Sequence, residues 1–301
     1  MTRTFPAKTL YWSDAAVKTL SFIALGTGVA FLLLMIVFVL RESSLGSGFA
    51  MNLFDFLVRQ PWAPMATPPS HGIFHAWIST LVVTALSLGL AIPLGFGIGL
   101  FLSEVAPRWV QQVMQPALEL LAGIPAVVYG FFGYVTLVRN FETWFDMPAG
   151  ECLLIAGLIL AVMVLPFVAS TAAEAFRSVA QDLRETAYGL GVTQLYIMRR
   201  VLLRKALPGL FGAVALGLAR ALGETLAVLM LAGNSVAIPH SLLERGQPLT
   251  SLLATELGET AVHSAKYEAL FASGFILLVV VLGINMIIWT LKHRFLERSH
   301  G

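Results

Sequence analysis

The chain has 301 residues, of which 57% are hydrophobic and 12% carry a charge. A soluble domain has about 25% charged residues, so this composition excludes an ordinary soluble enzyme and indicates a membrane protein with several spans. The formal net charge is +2, and the basic residues do not cluster as a nucleic-acid-binding surface requires. The single cysteine, Cys152, excludes a disulfide framework or a two-cysteine metal or redox site within the chain.

Six apolar stretches are long enough to cross a membrane as helices, because a bilayer core needs about 20 mostly apolar residues per helix. None alternates with the two-residue period of a barrel strand, so we predict an all-α membrane protein. The first stretch is too long for a signal peptide, whose apolar segment has about 7–15 residues, and we interpret it as a retained helix. The predicted spans are 20–40, 76–102, 117–138, 152–171, 208–233 and 269–291.

Positive charges in the connections predict the orientation of the spans. The tail 1–19, the connection between the second and third spans, the connection 174–207 and the tail 292–301 carry three, one, six and three Lys or Arg residues. The opposite connections carry five in all, so we predict that both termini are cytoplasmic. The periplasmic side then holds a proline-rich loop, 41–75, and a second loop, 234–268, with a short helix at "SLLATELGE".

The cytoplasmic connection 174–207 has the pattern of an amphipathic helix. Apolar residues recur at steps of three and four from Phe176 to Leu190, charged residues fill the other face, and Gly191 is a suitable stop. A second apolar run, 195–203, follows. The pattern fits a helix on the anionic inner leaflet as well as a docking helix for a cytoplasmic partner.

This connection resembles the EAA loop of ABC-importer permeases in the sequence "ETAYGLGVTQLYIMRRVLL". The matching positions are Glu185, Thr186, Ala187 and Gly191, although the family usually has a second Ala at the position of Thr186. The family also usually has a Leu-Pro pair at the positions that correspond to 203–204. In this sequence the Leu-Pro pair lies four residues later, at 207–208, which is an alternative end for the second helix. The resemblance implies that these residues insert into a cleft of an ATPase subunit and transmit its closure.

Four further motifs, "FLSEVAP", "ELLAGIPAVVYG", "LPF" and "RALGETLAV", occur in the same order in the phosphate-transporter permeases, and the chain resembles their C-type. The similarity covers about half of the chain, 73–234, and implies the six-helix type I ABC-importer fold, with its permease core at 76–291. It also implies an importer of inorganic phosphate in a bacterial inner membrane. Its partners would be a second related permease, two ATPase subunits and a periplasmic phosphate-binding protein, with lipid around the spans.

The chain itself contains no G-x-x-x-x-G-K-[ST] loop for ATP. We therefore expect no enzyme activity and no cofactor in this chain, with ATP and Mg bound by the partner ATPase. We also predict no metal site, because His71 and His75 flank a glycine after two prolines.

Arg220 and Glu224 are the main candidates for a substrate site. Residues four apart lie on one face of a helix, and a charge at mid-membrane costs about 2.5–3.5 kcal/mol. The pair therefore has either a structural role in fixing helix register or the role of an oxyanion site, which the resemblance also implies. A guanidinium suits phosphate because its planar fork binds two oxygens. A stripe of small residues beside the pair predicts a close helix contact: Gly209, Ala213, Gly217, Ala221 and Thr225.

Other candidates carry weaker signals. Gly123 and Pro125 predict a break or kink in the third helix, and Tyr129 is a candidate for the substrate path or for the core. Glu119 fits the membrane interface better than a transport role.

Three other functions remain open: a permease for molybdate or sulfate, a secondary transporter or channel that acts alone, and a permease-like component that reports phosphate status.

Overall fold

Long helices dominate the computed structural model, which describes residues 7–43, 53–59, 61–146, 148–179, 189 and 191–300. Among these residues, five helices are long and apolar enough to cross a membrane, and a bent helix pair gives a sixth span if it is counted as one. The helices are α1 (Ala7–Glu42), α2 (Phe74–Glu104), α3 (Arg108–Gly123), α4 (Ala126–Phe145), α5 (Leu153–Arg177), α6 (Gln194–Leu222), α7 (Leu226–Leu231), α8 (Leu249–Glu256) and α9 (Ala265–His300). The all-α membrane fold is confirmed.

The sequence predictions for four of the spans agree with α1, α2, α5 and α9. The short helix predicted in the loop 234–268 is α8, which continues into a single 3-10 turn. The loop before α2 contains a small exception to the helical fold. Its two-residue strands, β1 (Trp62–Ala63) and β2 (Ser70–His71), pair antiparallel with Trp62 opposite His71.

The centre of the bundle is the contact between α2 and α5. Two glycines of α2 allow a close approach: a Cβ at Gly95 would lie 2.7 Å from Val168 Cγ1, and a Cβ at Gly99 would lie 2.8 Å from Ala172 Cβ. Small residues at such contacts let apolar helices gain van der Waals packing where the hydrophobic effect between helices is weak. α5 is the most enclosed of the spans in the described part of the chain.

Two clusters mark the ends of the bundle. At the first, which we call the Trp62 end, buried Trp62 and Ile73 pack with Leu249 of α8. At the other, which we call the Val179 end, buried Phe176 and Val179 pack with residues from the start of α6. α1 lies outside the bundle with its apolar side chains exposed, and it contacts α9 through an edge-to-face pair, Phe38 and Phe271, at 5.8 Å between ring centroids.

The third predicted span is not one straight helix. α3 and α4 meet at an angle of 89°, and Ile124 between them is extended, with φ −66° and ψ 129°. The cause is Pro125, because a proline ring disfavours the α conformation in the residue before it.

The fifth predicted span is wrong at both of its ends. α6 begins at Gln194 and runs through Pro208, so neither the span nor the second cytoplasmic helix has a boundary at 207–208. A proline inside a membrane helix is tolerated when neighbouring residues compensate for the lost hydrogen bond, and a π-helical segment, Ile197–Leu202, precedes it. The helix then ends at Leu222, eleven positions before the predicted end at Gly233.

Candidate functional site

The two charged residues of the fifth apolar stretch lie at a break between α6 and α7, and not within one helix as predicted. Arg220 occupies the last turn of α6, which ends at Leu222, and Glu224 follows the helix end. The Glu224 carboxylate accepts a hydrogen bond from the backbone N–H of Ala227 at 3.4 Å. Helix starts leave such N–H groups unpaired, so this contact stabilises the beginning of α7.

The side chains of Arg220 and Glu224 nevertheless meet. Arg220 Nη2 lies 3.7 Å from Glu224 Oε2, and the arginine side chain is 38% exposed whereas the glutamate side chain is 5% exposed. The guanidinium carbon lies 5.4 Å from the centre of the Phe167 ring. The interaction of a cation with an aromatic face contributes about 0.5–1 kcal/mol at an exposed site and about 2 kcal/mol when the cation is desolvated. The carboxylate is therefore enclosed, and the guanidinium is fixed by two contacts with one side open.

The Arg220 guanidinium has unused hydrogen-bonding capacity. Its Nε is buried and has no hydrogen-bond partner within the described part of the chain. A guanidinium has five N–H donors in a planar fork, and leaving a buried donor unpaired costs free energy. An oxyanion bound at the open side would provide acceptors for the exposed part of the guanidinium, in the geometry that the fork prefers.

Hydrogen bonds connect the break to two other helices. Thr250 of α8 donates its hydroxyl to the Glu224 carbonyl at 2.8 Å, while Leu249 donates its backbone N–H to Thr80 Oγ1 of α2 at 2.9 Å. The backbone at the break is thereby tied to α8, and α8 is tied to α2.

The small-residue stripe of α6 makes the predicted close helix contact, and its partner is α5. Thr225, the last member of the predicted stripe, lies beyond the end of α6. A Cβ at Gly217 would lie 2.8 Å from Val168 Cγ2, and one at Gly209 would lie 2.5 Å from Ala175 Cβ. Ala213 is fully buried. This close contact brings the last turn of α6 next to Phe167 of α5.

The kink candidates lie at the 89° bend between α3 and α4. Gly123 is the last residue of α3, and Pro125 immediately precedes α4. Tyr129 is 8% exposed, and its hydroxyl donates a hydrogen bond of 2.9 Å to the carbonyl of Leu121. Tyr129 therefore connects the two arms of the bend.

The coupling candidates Glu185, Thr186 and Ala187 lie outside the described residues. Gly191 has a left-handed backbone, with φ +73°, which glycine adopts more readily than other residues. It lies in the turn before α6, and its role in coupling remains a prediction.

His71 of the first loop and His75 in the first turn of α2 have other contacts. His75 Nε2 lies 3.4 Å from Gln247 Oε1, and the His71 ring packs edge-on against Trp62 at 5.9 Å between centroids. In the described ranges, no group of three or more His, Cys, Asp or Glu side chains is arranged to hold a metal ion.

The sequence did not predict three residues that support the pair or the break beside it. Phe167 belongs to the "LPF" motif, but nothing in that motif indicates a partner for its ring. Thr80 and Thr250 lie far from Glu224 in sequence, and a lone threonine gives no periodic signal. Only the packing of α2, α5 and α8 around the break brings them together.

Comparison with known proteins identifies the family. A family model described as the inner membrane component of binding-protein-dependent transport systems matches residues 91–298. The chain belongs to this family. The permease is 39% identical over 226 residues to a probable ABC transporter permease protein, YqgH, of Bacillus subtilis, covering 75% of this chain and 73% of the relative. It is 35% identical over 282 residues to the phosphate transport system permease protein PstC of Pasteurella multocida, covering 86% and 87%.

Solved structures agree with this assignment at the level of the fold. The permease is similar to a chain of a bacterial ABC transporter for import of the acidic polysaccharide alginate, with a TM-score of 0.62, 17% identity and coverage of 94% of this chain and 98% of that chain. A structure of a bacterial alginate transporter with its periplasmic protein also has a TM-score of 0.62, with 18% identity and coverage of 94% and 97%. The fold is that of an ABC-importer permease.

Proposed function

We propose that this permease is the membrane subunit of an ATP-driven importer of inorganic phosphate and contributes half of the translocation path. The observation that carries the proposal is the Arg220 fork, which is open on one side, has an unpaired buried donor and is balanced by the enclosed Glu224. Similarity to PstC proteins supports phosphate as the substrate.

The complete importer would contain a second related permease, two ATPase subunits and a periplasmic phosphate-binding protein in a bacterial inner membrane. The excess of positive charge in 1–19, 174–207 and 292–301 supports placing the Val179 end at the cytoplasm. The ATPase would contact Glu185, Thr186, Ala187 and Gly191. ATP and Mg bind that partner, and this chain contributes the path and the mechanical connection.

The break between α6 and α7 suits a binding site in the path. Irregular backbone at membrane depth is stable only where protein buries it or where it lines a water-filled cavity. Glu224 compensates the charge of Arg220 while the site is empty. When phosphate enters, the guanidinium binds two of its oxygens, and the carboxylate accepts a hydrogen bond from a protonated oxygen.

This arrangement would distinguish phosphate from sulfate. Phosphate near neutral pH retains a proton that Glu224 can accept in a hydrogen bond, whereas sulfate has none. Sulfate would therefore bring its charge against the buried carboxylate without compensation, and repulsion of this kind is an effective source of specificity.

The decisive experiment measures radiolabelled phosphate uptake by the complete complex, with sulfate and molybdate as competitors. We expect Arg220→Gln to lower uptake by about tenfold or more, because a hydrogen bond to a charged group contributes roughly 1.5–3 kcal/mol. Glu224→Gln should make sulfate a better competitor. Arg294→Gln removes an exposed arginine from α9 and should leave uptake unchanged.

Other outcomes would reject the proposal. Unchanged uptake and selectivity in Glu224→Gln would remove the proposed role of the carboxylate. Uptake of molybdate or sulfate in preference to phosphate would indicate a different oxyanion permease, and phosphate uptake without the ATPase subunits would indicate a secondary transporter. Normal phosphate signalling without any uptake would indicate a reporter.

A further inference from the structure

One face of α3 is polar, although α3 belongs to the bent pair that gives a sixth span if it is counted as one. Gln112, Gln115 and Glu119 are all exposed and recur at steps of three and four residues. They line an open groove of about 450 Å³, together with Arg108, Gln111 and Pro116. We call this set of residues the α3 groove.

The α3 groove is a poor surface for lipid. An amide or carboxylate in hydrocarbon without a hydrogen-bond partner costs several kcal/mol, on the order of 2–7. α3 presents two glutamines and a glutamate in one row, and Arg177 donates to one oxygen of this row, that of Gln115. The adjacent exposed face carries Trp109, Val113 and Leu120 instead, which suit lipid or an apolar protein surface. α3 therefore has a polar face beside an apolar face.

Contacts of α3 connect it both to the neighbourhood of Arg220 and to the Val179 end. Leu118 of α3 belongs to a buried cluster with Ala169 of α5, two positions after the Phe167 ring that lies beneath the Arg220 guanidinium. In the other direction, Arg177 at the end of α5 donates from Nη1 to Gln115 Oε1 at 3.4 Å.

We infer that the α3 groove lines the water-filled half of the phosphate path between Arg220 and the cytoplasm. The inference rests on the proposed function and on the proposed orientation. Glutamine amides donate uncharged hydrogen bonds to phosphate oxygens, and the Glu119 carboxylate of the groove repels an anion. The groove therefore holds phosphate more weakly than a guanidinium does. A path must bind its ion weakly enough to release it, and the positive charges of Arg108 and Arg177 at the cytoplasmic mouth attract an anion that leaves Arg220.

The test uses single cysteines in the complete complex. Cys152 is the only cysteine of the chain, so Cys152→Ala provides the background, and its phosphate uptake is measured first. Gln112→Cys, Gln115→Cys and Glu119→Cys are compared with Val113→Cys and Leu120→Cys, whose side chains are also exposed in the isolated chain. A charged, membrane-impermeant methanethiosulfonate is applied from each side, and labelling is measured on this chain.

We expect the three groove cysteines to react from the cytoplasmic side about tenfold faster or more than the two control cysteines, because a thiol reacts as its hydrated thiolate. Their modification should also block phosphate uptake, whereas modification of the controls should not. Equal reactivity on both faces would overturn the inference. So would groove cysteines that do not react but form disulfides with cysteines of the second permease, since the groove would then be a subunit contact.

The two proposals fail in different ways. If the Cys152→Ala complex and the parent complex take up no phosphate, the proposed function is wrong whatever the labelling pattern is. If both take up phosphate while the groove cysteines are inaccessible, only the inference about the groove is wrong.

Discussion

The hydroxyl of Thr250 donates a hydrogen bond of 2.8 Å to the main-chain oxygen of Glu224. Because Glu224 lies beyond the end of α6, its carbonyl lacks the regular partner that a helix interior would provide. The bond therefore fixes the backbone from which the buried carboxylate projects. It also makes α8, at the Trp62 end, a direct support of the candidate site.

Thr250→Val removes this hydroxyl with little change in shape. We expect a loss of about 1 kcal/mol in the free energy of unfolding, the typical net contribution of one hydrogen bond, and weaker phosphate uptake because the Glu224 backbone is less constrained. Thr290→Val is the matched control, since its hydroxyl also donates to a carbonyl, that of Met286 at 2.7 Å, but far along α9. If both variants transport alike, Thr250 does not position the site.

Gly217→Ala tests the contact between α6 and α5. The new Cβ would lie 2.8 Å from Val168 Cγ2, and forcing an extra methyl into a packed contact costs roughly 1–3 kcal/mol. Gly212 lies on the same helix and has no atom within 4 Å of a Cβ, so Gly212→Ala should be neutral or slightly stabilising. Thermal unfolding of the detergent-solubilised complex measures both changes. Equal melting temperatures would show that the contact is loose.

Tyr129→Phe removes the hydrogen bond across the bend between α3 and α4. The hydroxyl donates to Leu121 at 2.9 Å, so we expect a loss of about 1 kcal/mol in the free energy of unfolding. Uptake should fall as well if the 89° geometry positions α3 beside the path. Tyr134→Phe changes a more exposed ring, 40% accessible, and should have little effect. A normal melting temperature in Tyr129→Phe would mean that Pro125 alone maintains the bend.

His71 should make the Trp62 end sensitive to acid. Burial, and secondarily the positive charge of Lys266, lower the pKa of His71 from its ordinary value of 6.5. The unfolded chain then binds the proton more tightly than the folded chain, so stability is lost as the pH falls through about 6.5. We expect His71→Asn to flatten the dependence of the melting temperature on pH between about 7 and 5. His240→Asn, at an exposed histidine, is the control. The prediction is contradicted if the melting temperature of His71→Asn depends on pH as steeply as that of the wild type.

Local composition was sufficient for much of the fold. Four spans, the helix α8 and the stripe from Gly209 to Gly217 follow from apolar length and from residue size, which depend little on the partners of a segment. Pro125 predicted a kink at the position of the 89° bend. Its size is not a local property, because the Tyr129 hydroxyl and the packing of both arms determine how far the chain turns.

The sequence by itself determined that Arg220 and Glu224 lie close together, because four positions of helix or tight turn bring side chains to one side. Only the tertiary structure decided that the helix ends between them, that the carboxylate is enclosed and that the guanidinium lies over Phe167 with one side open. The physical reason is that burial and hydrogen bonding depend on neighbours distant in sequence. Here Thr250 and the α5 surface supply those neighbours, and they convert a charge pair in an apolar stretch into a candidate oxyanion site.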